Sequence, residues 1–288
     1  MLVKASKIIK KAFKEGYALG AFNTSNLEVT QGIVRAGVAK RSPVTIQVSE
    51  TTIEYAGLET ITEIIRKVAE REGKNIPIAF HLDHGKKFES VVRCIDAGFT
   101  SVMIDGSELP FQENLNLTRE AAKYAHERNV WIQGELGKII KSRLTDEPGA
   151  YENLVNFMTD PDKAKEFVKE TRVDSLAISI GNVHGLYQGE LKLDFDRLRE
   201  IRRAVKVPLV LHGGSGIPAP SLKKAIQLGI TKVNIDTDIR IAFTSSVRDF
   251  MAENLNEYDP RKVLVAGRDA VQRLVEEKIE VLGSAGKA

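Results

Sequence analysis

The chain has 288 residues, 42% apolar and 28% charged, a length and composition suited to a globular protein with a sizeable core. Its net charge of +3 is carried by Lys and Arg interleaved with Asp and Glu, which argues against a nucleic-acid partner and suits small anionic ligands. The single cysteine, Cys94, excludes an intrachain disulfide framework and fits a reducing cytoplasm, and no run approaches the roughly 20 apolar residues of a membrane span.

Residues 1–21 read as a lysine-bearing amphipathic helix and then a short apolar run, without the features of a secretory leader. Short apolar strands then alternate with helical stretches. Strands are expected at 18–22, 44–48, 76–81, 101–104, 130–134, 175–180, 207–212 and 232–235. Helical periodicity marks 57–72, 88–97, 111–127, 160–170, 195–205 and 221–228. Cys94 falls in the second of these and reads as a core thiol. Near-continuous apolar strands with helices between them imply an α/β protein with a parallel sheet. Eight such units predict a single (β/α)8 TIM barrel occupying residues 1–288 as one domain. An open doubly wound sheet is disfavoured because no G-x-G-x-x-G follows the first strand. Segments 243–255 and 261–282 read as additional C-terminal helices outside the last unit, and 283–288 as a frayed tail. Between Glu135 and residue 160 runs a long connection containing Arg143, Asp146 and Glu147; a loop of that length is more often functional than accidental.

The chemistry lies where strands end. His81-Leu82-Asp83-His84-Gly85 closes the third strand and Gly181-Asn182-Val183-His184-Gly185 the sixth. His212-Gly213-Gly214-Ser215-Gly216 closes the seventh, and Asn234-Ile235-Asp236-Thr237-Asp238 the eighth. In a barrel these ends meet on one face. His84, His184 and His212 could therefore give three imidazoles to one Zn2+ and leave a fourth position open for a carbonyl oxygen. Asp83 could act there as general acid and base, or orient an imidazole. Asp105 and Glu135 add negative charge to the same mouth, as orienting groups or alternative metal ligands. His81, by strand alternation, is a packing or orienting residue. Gly213, Gly214 and Ser215, with Asp236 and Thr237 one strand later, suit an oxyanion, because loops seven and eight are the usual phosphate position. Asn23, Ser49 and Asn234 offer uncharged hydrogen bonds to hydroxyls, or serve turns and caps.

These motifs, in this order and over essentially the whole chain, resemble the class II zinc-dependent fructose-bisphosphate aldolases (ketose-bisphosphate aldolases). Gly16-Tyr17-Ala18-Leu19-Gly20-Ala21-Phe22-Asn23, Ser101-Val102-Met103-Ile104-Asp105-Gly106-Ser107, Gly134-Glu135-Leu136-Gly137 and Arg240-Ile241-Ala242-Phe243 extend the likeness. The resemblance implies reversible aldol cleavage of fructose-1,6-bisphosphate to dihydroxyacetone phosphate and glyceraldehyde 3-phosphate through a zinc-stabilised enediolate. Tagatose-1,6-bisphosphate is the alternative substrate, and a metal-dependent sugar-phosphate-binding protein with weak turnover the alternative role. It further implies zinc on His84, His184 and His212, with Glu135 and Asp105 near the metal. Asp83 would manage the proton of the C4 oxygen, and Gly185, Gly213, Ser215, Asp236 and Thr237 would surround a phosphate. Asn23, Ser49 and Asn234 would contact the rest of the substrate. A monovalent cation such as Na+ or K+ beside the phosphate and a homodimer or homotetramer are also implied. This chain departs from the family at two positions. Arg143 stands near the position where the family has the glutamate that exchanges the carbon-bound proton, and arginine stays protonated; Glu147 or Asp146 could replace it, with Glu147 preferred. Gln188 stands where a lysine is common near the phosphate region.

Overall fold

The computed structural model describes residues 1–140, 155–185 and 192–288. Eight strands pair in parallel, each with its neighbour in sequence, and β8 pairs back to β1 to close the barrel. They are β1 (Leu19–Asn23), β2 (Val44–Ser49), β3 (Ile78–Gly85), β4 (Ser101–Ile104), β5 (Trp131–Leu136), β6 (Ser175–Ile178), β7 (Leu209–Leu211) and β8 (Ile230–Ile235). This is the (β/α)8 fold that the strand rhythm predicts, and the apolar strand residues face a shell of helices because both sides of such a sheet are covered.

The described helices are α1 (Ala5–Glu15), α2 (Leu27–Ala39), α3 (Glu50–Ala56), α4 (Leu58–Arg71), α5 (Phe88–Asp96) and α6 (Phe111–Glu127), followed by α7 (Pro161–Thr171), α8 (Phe195–Ala204), α9 (Ala219–Gln227), α10 (Thr237–Glu253) and α11 (Pro260–Leu282). The helix α1 lies under the barrel. Its Ile8, Ile9 and Ala12 pack on Leu19, Ala79 and Trp131, which closes the N-terminal end. Helices α2 and α3 are absent from the periodicity-based reading. Asn26 caps α2 by accepting from the Val29 N–H, and Ser49 caps α3 through Thr52. In α2 the β-branched Val29, Thr30, Ile33, Val34 and Val38 weaken a helical reading. Helix α10 starts at Thr237, earlier than residue 243, so that its first turn borders the mouth of the barrel. Helix α11 packs on α2, α9, α10 and β1 and so occupies the place of an eighth outer helix instead of lying outside the last unit. The tail is not frayed: Ser284 is buried, and Gly286 and Ala288 donate to the carbonyls of Lys40 and Arg41.

The barrel interior is unusually polar for a fold whose lumen is generally filled by Val, Ile and Leu. Gln47, His81, Gln133, Lys232 and Asn234 are all buried there, and their side chains bond across the lumen. They form a floor beneath the strand ends.

Candidate active site

At the C-terminal end of the strands a cavity of 160 Å³ is lined by Asn23, Ser49, Asp83, His84, His184, Gly185, His212, Gly213, Ser215, Asn234, Asp236, Thr237 and Arg240. Thirteen positions spread over six loops thus converge on one mouth. A backbone irregularity makes this possible on β3. Pairing with β4 slips between Leu82 and Gly85, and His84 adopts a positive φ of 51°. Asp83 and His84 would face opposite sides of a regular strand; the bulge turns both into the mouth, with Asp83 Oδ1 3.9 Å from His84 Nε2. A non-glycine residue at positive φ is uncommon, and histidine is among the few that adopt it readily.

His84, His184 and His212 each present a ring nitrogen, and these atoms lie within 4.8 Å of one another. His212 Nδ1 is 2.9 Å from His84 Nε2. These separations bracket the roughly 3.3 Å that two Zn–N bonds of about 2.0–2.1 Å require at a tetrahedral angle. The donor set therefore fits a divalent ion of the zinc type. The three rings do not share their protons evenly. Burial alone would lower the His84 imidazolium, but the Asp83 charge, the Asp105 hydrogen bond and Glu135 lift it to about 9. Burial, reinforced by the His84 charge, pushes His184 down to about 4 and His212 well below the usual range.

His84, Asp105 and Glu135 form a second group of suitable atoms. The Asp105 oxygens, however, are fully engaged. Oδ1 accepts from Ser107 N and Oγ, and Oδ2 accepts from His84 Nδ1 at 2.7 Å and Lys86 Nζ at 2.6 Å. Against the burial that would raise it, these partners hold Asp105 well below the normal carboxylate range. Glu135 is the opposite case: burial and then the Asp105 charge push it up to about 8, and its Oε2 is buried without a hydrogen-bond partner among the described residues, 3.8–3.9 Å from the His212 and His84 rings.

Asp83 is fixed by three amides. Asn23 Nδ2 donates to Oδ2 at 2.9 Å, Gln47 Nε2 to Oδ2 at 3.3 Å and Asn234 Nδ2 to Oδ1 at 2.9 Å. Asn23 is itself held by Gln47 at 2.6 Å. Beside them, Gly185, Gly213 and Ser215 line the cavity next to Thr237, the first residue of α10, where the helix dipole favours an anion; the Asp238 N–H there donates to Ser215 Oγ at 3.1 Å. Gly213, at φ +62°, passes so close to Val183 that a Cβ would lie 1.9 Å from its carbonyl oxygen. Gly214 stands apart from this group. Its N–H donates to the Asn234 carbonyl, and it does not line the cavity, so it joins loop to strand instead of offering a donor to an anion. Burial raises Asp236, while the Arg240 guanidinium opposes that shift across 2.7 Å contacts. Ser49 lines the cavity and caps α3 with the same hydroxyl. Glu147, Arg143 and Gln188 lie outside the described residues.

Three contributors escape the strand-end reading: Gln47, Gln133 and Lys232. Their signal in the sequence is a polar residue at every second position of an otherwise apolar strand, as in Gln133 before Glu135 and Lys232 before Asn234. Lys232 enters its strand away from the C-terminal face and is buried inside the lumen, where it donates to Gln133 Oε1.

A family model described as "Fructose-bisphosphate aldolase class-II" matches residues 3–287. The chain is 43% identical to a fructose-bisphosphate aldolase of Geobacillus stearothermophilus, across all of this chain and 99% of that protein. It is 42% identical to the Helicobacter pylori fructose-bisphosphate aldolase, with both chains covered in full. Among solved structures it is similar to the YdjI aldolase of Escherichia coli K12, with a TM-score of 0.87, 34% identity and full coverage of both chains. It also resembles a fructose-bisphosphate aldolase of Campylobacter jejuni, with a TM-score of 0.83 and 25% identity over all of this chain and 97% of that one.

Proposed function

The chain belongs to the class II fructose-bisphosphate aldolase family, and from that premise we propose how its residues divide the reaction. The overall chemistry is the reversible aldol cleavage of fructose-1,6-bisphosphate to dihydroxyacetone phosphate and glyceraldehyde 3-phosphate. The observation that carries the assignment is the convergence of three imidazoles and one amide-held carboxylate at the barrel mouth.

His84, His184 and His212 hold Zn2+, with Asp105 orienting His84 through its Nδ1–H and Glu135 lying behind the ligands. When bound, the ion supplies a Lewis acid for the ketone oxygen and offsets the charge that develops on it. Asp83 takes the proton of the C4 hydroxyl as the C3–C4 bond breaks and C4 becomes the aldehyde carbon; the bonding pair stays with the ketone fragment. Glu147 returns a proton to C3 of that fragment. In the reverse direction each group performs the opposite transfer. Gly185, Gly213, Ser215 and Thr237 receive the ketone-side phosphate at the start of α10, with Asp236 held away from it by Arg240 and a monovalent cation completing the charge balance. Asn23, Ser49 and Asn234 contact the carbon chain. A groove of 490 Å³ shares Asn23, Asp236 and Arg240 with the cavity and extends past Tyr55, which gives the aldehyde half room to lie.

We further assign the protein to the cytoplasm and to a homodimer or homotetramer, which sedimentation of the purified protein checks directly. No helix among the described residues is long and apolar enough to cross a membrane.

The deciding experiment measures triose-phosphate release from fructose-1,6-bisphosphate by zinc-loaded protein before and after chelation. Release that the chelator abolishes and added zinc restores supports the assignment. A zinc-bound sample that cleaves tagatose-1,6-bisphosphate but not the fructose compound would move the substrate, and one that cleaves neither would leave only binding.

A further inference from the structure

Two carboxylates border the start of α10, where the ketone-side phosphate is placed. Asp236 lines the cavity, and Arg240, one turn along the chain, pairs with it at 2.7 Å. Asp238 lies in the first turn of α10 and does not line the cavity. Its cation comes from a different helix: Lys278 of α11, which packs against α10, places Nζ 2.5 Å from Asp238 Oδ2. Both side chains are only 16% exposed, so solvent and salt screen this pair less than the exposed ion pairs of the outer helices.

The same residue reaches loop seven. Asp238 Oδ2 accepts from Gly216 N over a long 3.4 Å, and the Asp238 N–H donates to Ser215 Oγ at 3.1 Å. While its oxygen accepts there, the Ser215 hydroxyl keeps its own hydrogen for a ligand in the cavity that it lines. Asp238 thus ties the turn after β7 to the helix after β8, and Lys278 holds Asp238 from behind.

Charge adds to this geometry. A carboxylate in the first turn of a helix competes with a bound anion for the positive end of the dipole. It also repels that anion unless a cation offsets it. Arg240 offsets Asp236 and Lys278 offsets Asp238, so two acids flank the place of a phosphate without expelling it.

We propose that Lys278 is a positioning residue for phosphate binding: through Asp238 it holds the Ser215–Gly216 turn against α10 and offsets the carboxylate charge beside that turn. This rests on the reading of loops seven and eight as the phosphate site.

The experiment compares kcat and KM for fructose-1,6-bisphosphate in zinc-loaded variants, together with competitive inhibition by inorganic phosphate, circular dichroism confirming that each is folded. S215A removes a hydroxyl assigned to the phosphate and must weaken both ligands; parent-like binding there removes the phosphate reading, and with it this proposal. K278M keeps the length of the side chain and loses its charge. It is expected to raise KM and the phosphate inhibition constant about 5–30-fold, the order of one poorly screened charge several ångströms from an anion. Its kcat should stay at the parent value, the signature of lost binding common to ground and transition states, and the defect should shrink at high ionic strength. K278R restores the cation and should bind like the parent, and the double variant D238N K278M, which removes both charges, should recover most of the loss. Parent-like KM in K278M beside a weakened S215A overturns the role of Lys278. So does a loss in K278M that the double variant leaves uncorrected, which lost packing alone explains. D238N keeps an oxygen for Gly216 and leaves Lys278 unopposed, so it should bind inorganic phosphate at least as tightly as the parent. Weaker binding there overturns the role assigned to the charge without any change at Lys278.

Discussion

Replacing Lys232 by methionine tests whether the polar lumen stores an electrostatic cost. The ammonium is buried, and among the described residues its one hydrogen bond goes to the neutral Gln133. Burial pushes it from 10.5 to about 7 in the folded chain, against the Asp83 charge. At about 1.36 kcal/mol for each pH unit, the charged form is disfavoured by on the order of 5 kcal/mol. The unfolded chain binds this proton at any pH below 10.5, whereas the folded chain binds it only below about 7. Between those limits unfolding takes up a proton, so raising the pH favours the folded state. Methionine has similar length and no charge, and any packing change it brings is independent of pH. The stability of the parent should therefore gain on that of K232M as pH rises from 7 toward 10, by up to about 1.4 kcal/mol per unit. Urea unfolding of both proteins in excess chelator at several pH values reads this difference. Parallel stability curves would show that the lysine is charged in the folded chain and would refute the reasoning.

The division of proton transfers predicts opposite signatures for two variants. Asp83→Asn should lower cleavage about 10²–10⁴-fold yet retain zinc and the exchange of the carbon-bound proton of dihydroxyacetone phosphate into heavy water. Glu147→Gln should lose that exchange, and if both variants lose both reactions equally, the division fails. Gly213→Ala would place a Cβ 1.9 Å from the Val183 carbonyl oxygen at φ +62°. It should cost at least about 2 kcal/mol of stability and weaken phosphate binding, and parent-like unfolding would show that the loop yields at no cost.

Much of this architecture is legible in the sequence because the barrel is repetitive. Eight apolar runs set the strand count, and their polar last residues mark the face where the chemistry lies. What escapes is what local pattern does not encode. The bulge at His84 depends on how β3 slips against β4, a tertiary register that no window on one strand contains. Alternation alone accounts for Asp83 and His81 but gives no reason for His84 to join them. Asp105 and Glu135 look equivalent as acids following successive strands, yet one is saturated by four donors and the other has an oxygen without a hydrogen-bond partner among the described residues. Only the positions of Lys86 and Ser107 make that distinction. Gly214 shows the converse error: a glycine-rich run suggests a string of donors, but one of its N–H groups is spent on joining β8.

The bulge on β3 makes neighbours of the carboxyl proposed to move a proton and a nitrogen proposed to hold the ion, one peptide unit apart. Breathing of the barrel, or sliding of β3 against β2, carries both along as a rigid pair. Their spacing is set by bond lengths, the two backbone angles between them and their own side-chain torsions, whereas the spacing from His84 to His184 and His212 depends on three separate strands. Heat or mutation should therefore loosen the imidazoles from one another before it separates acid from ligand. A warmed or destabilised molecule would then lose its ion while still keeping the alignment needed to work once the ion returns.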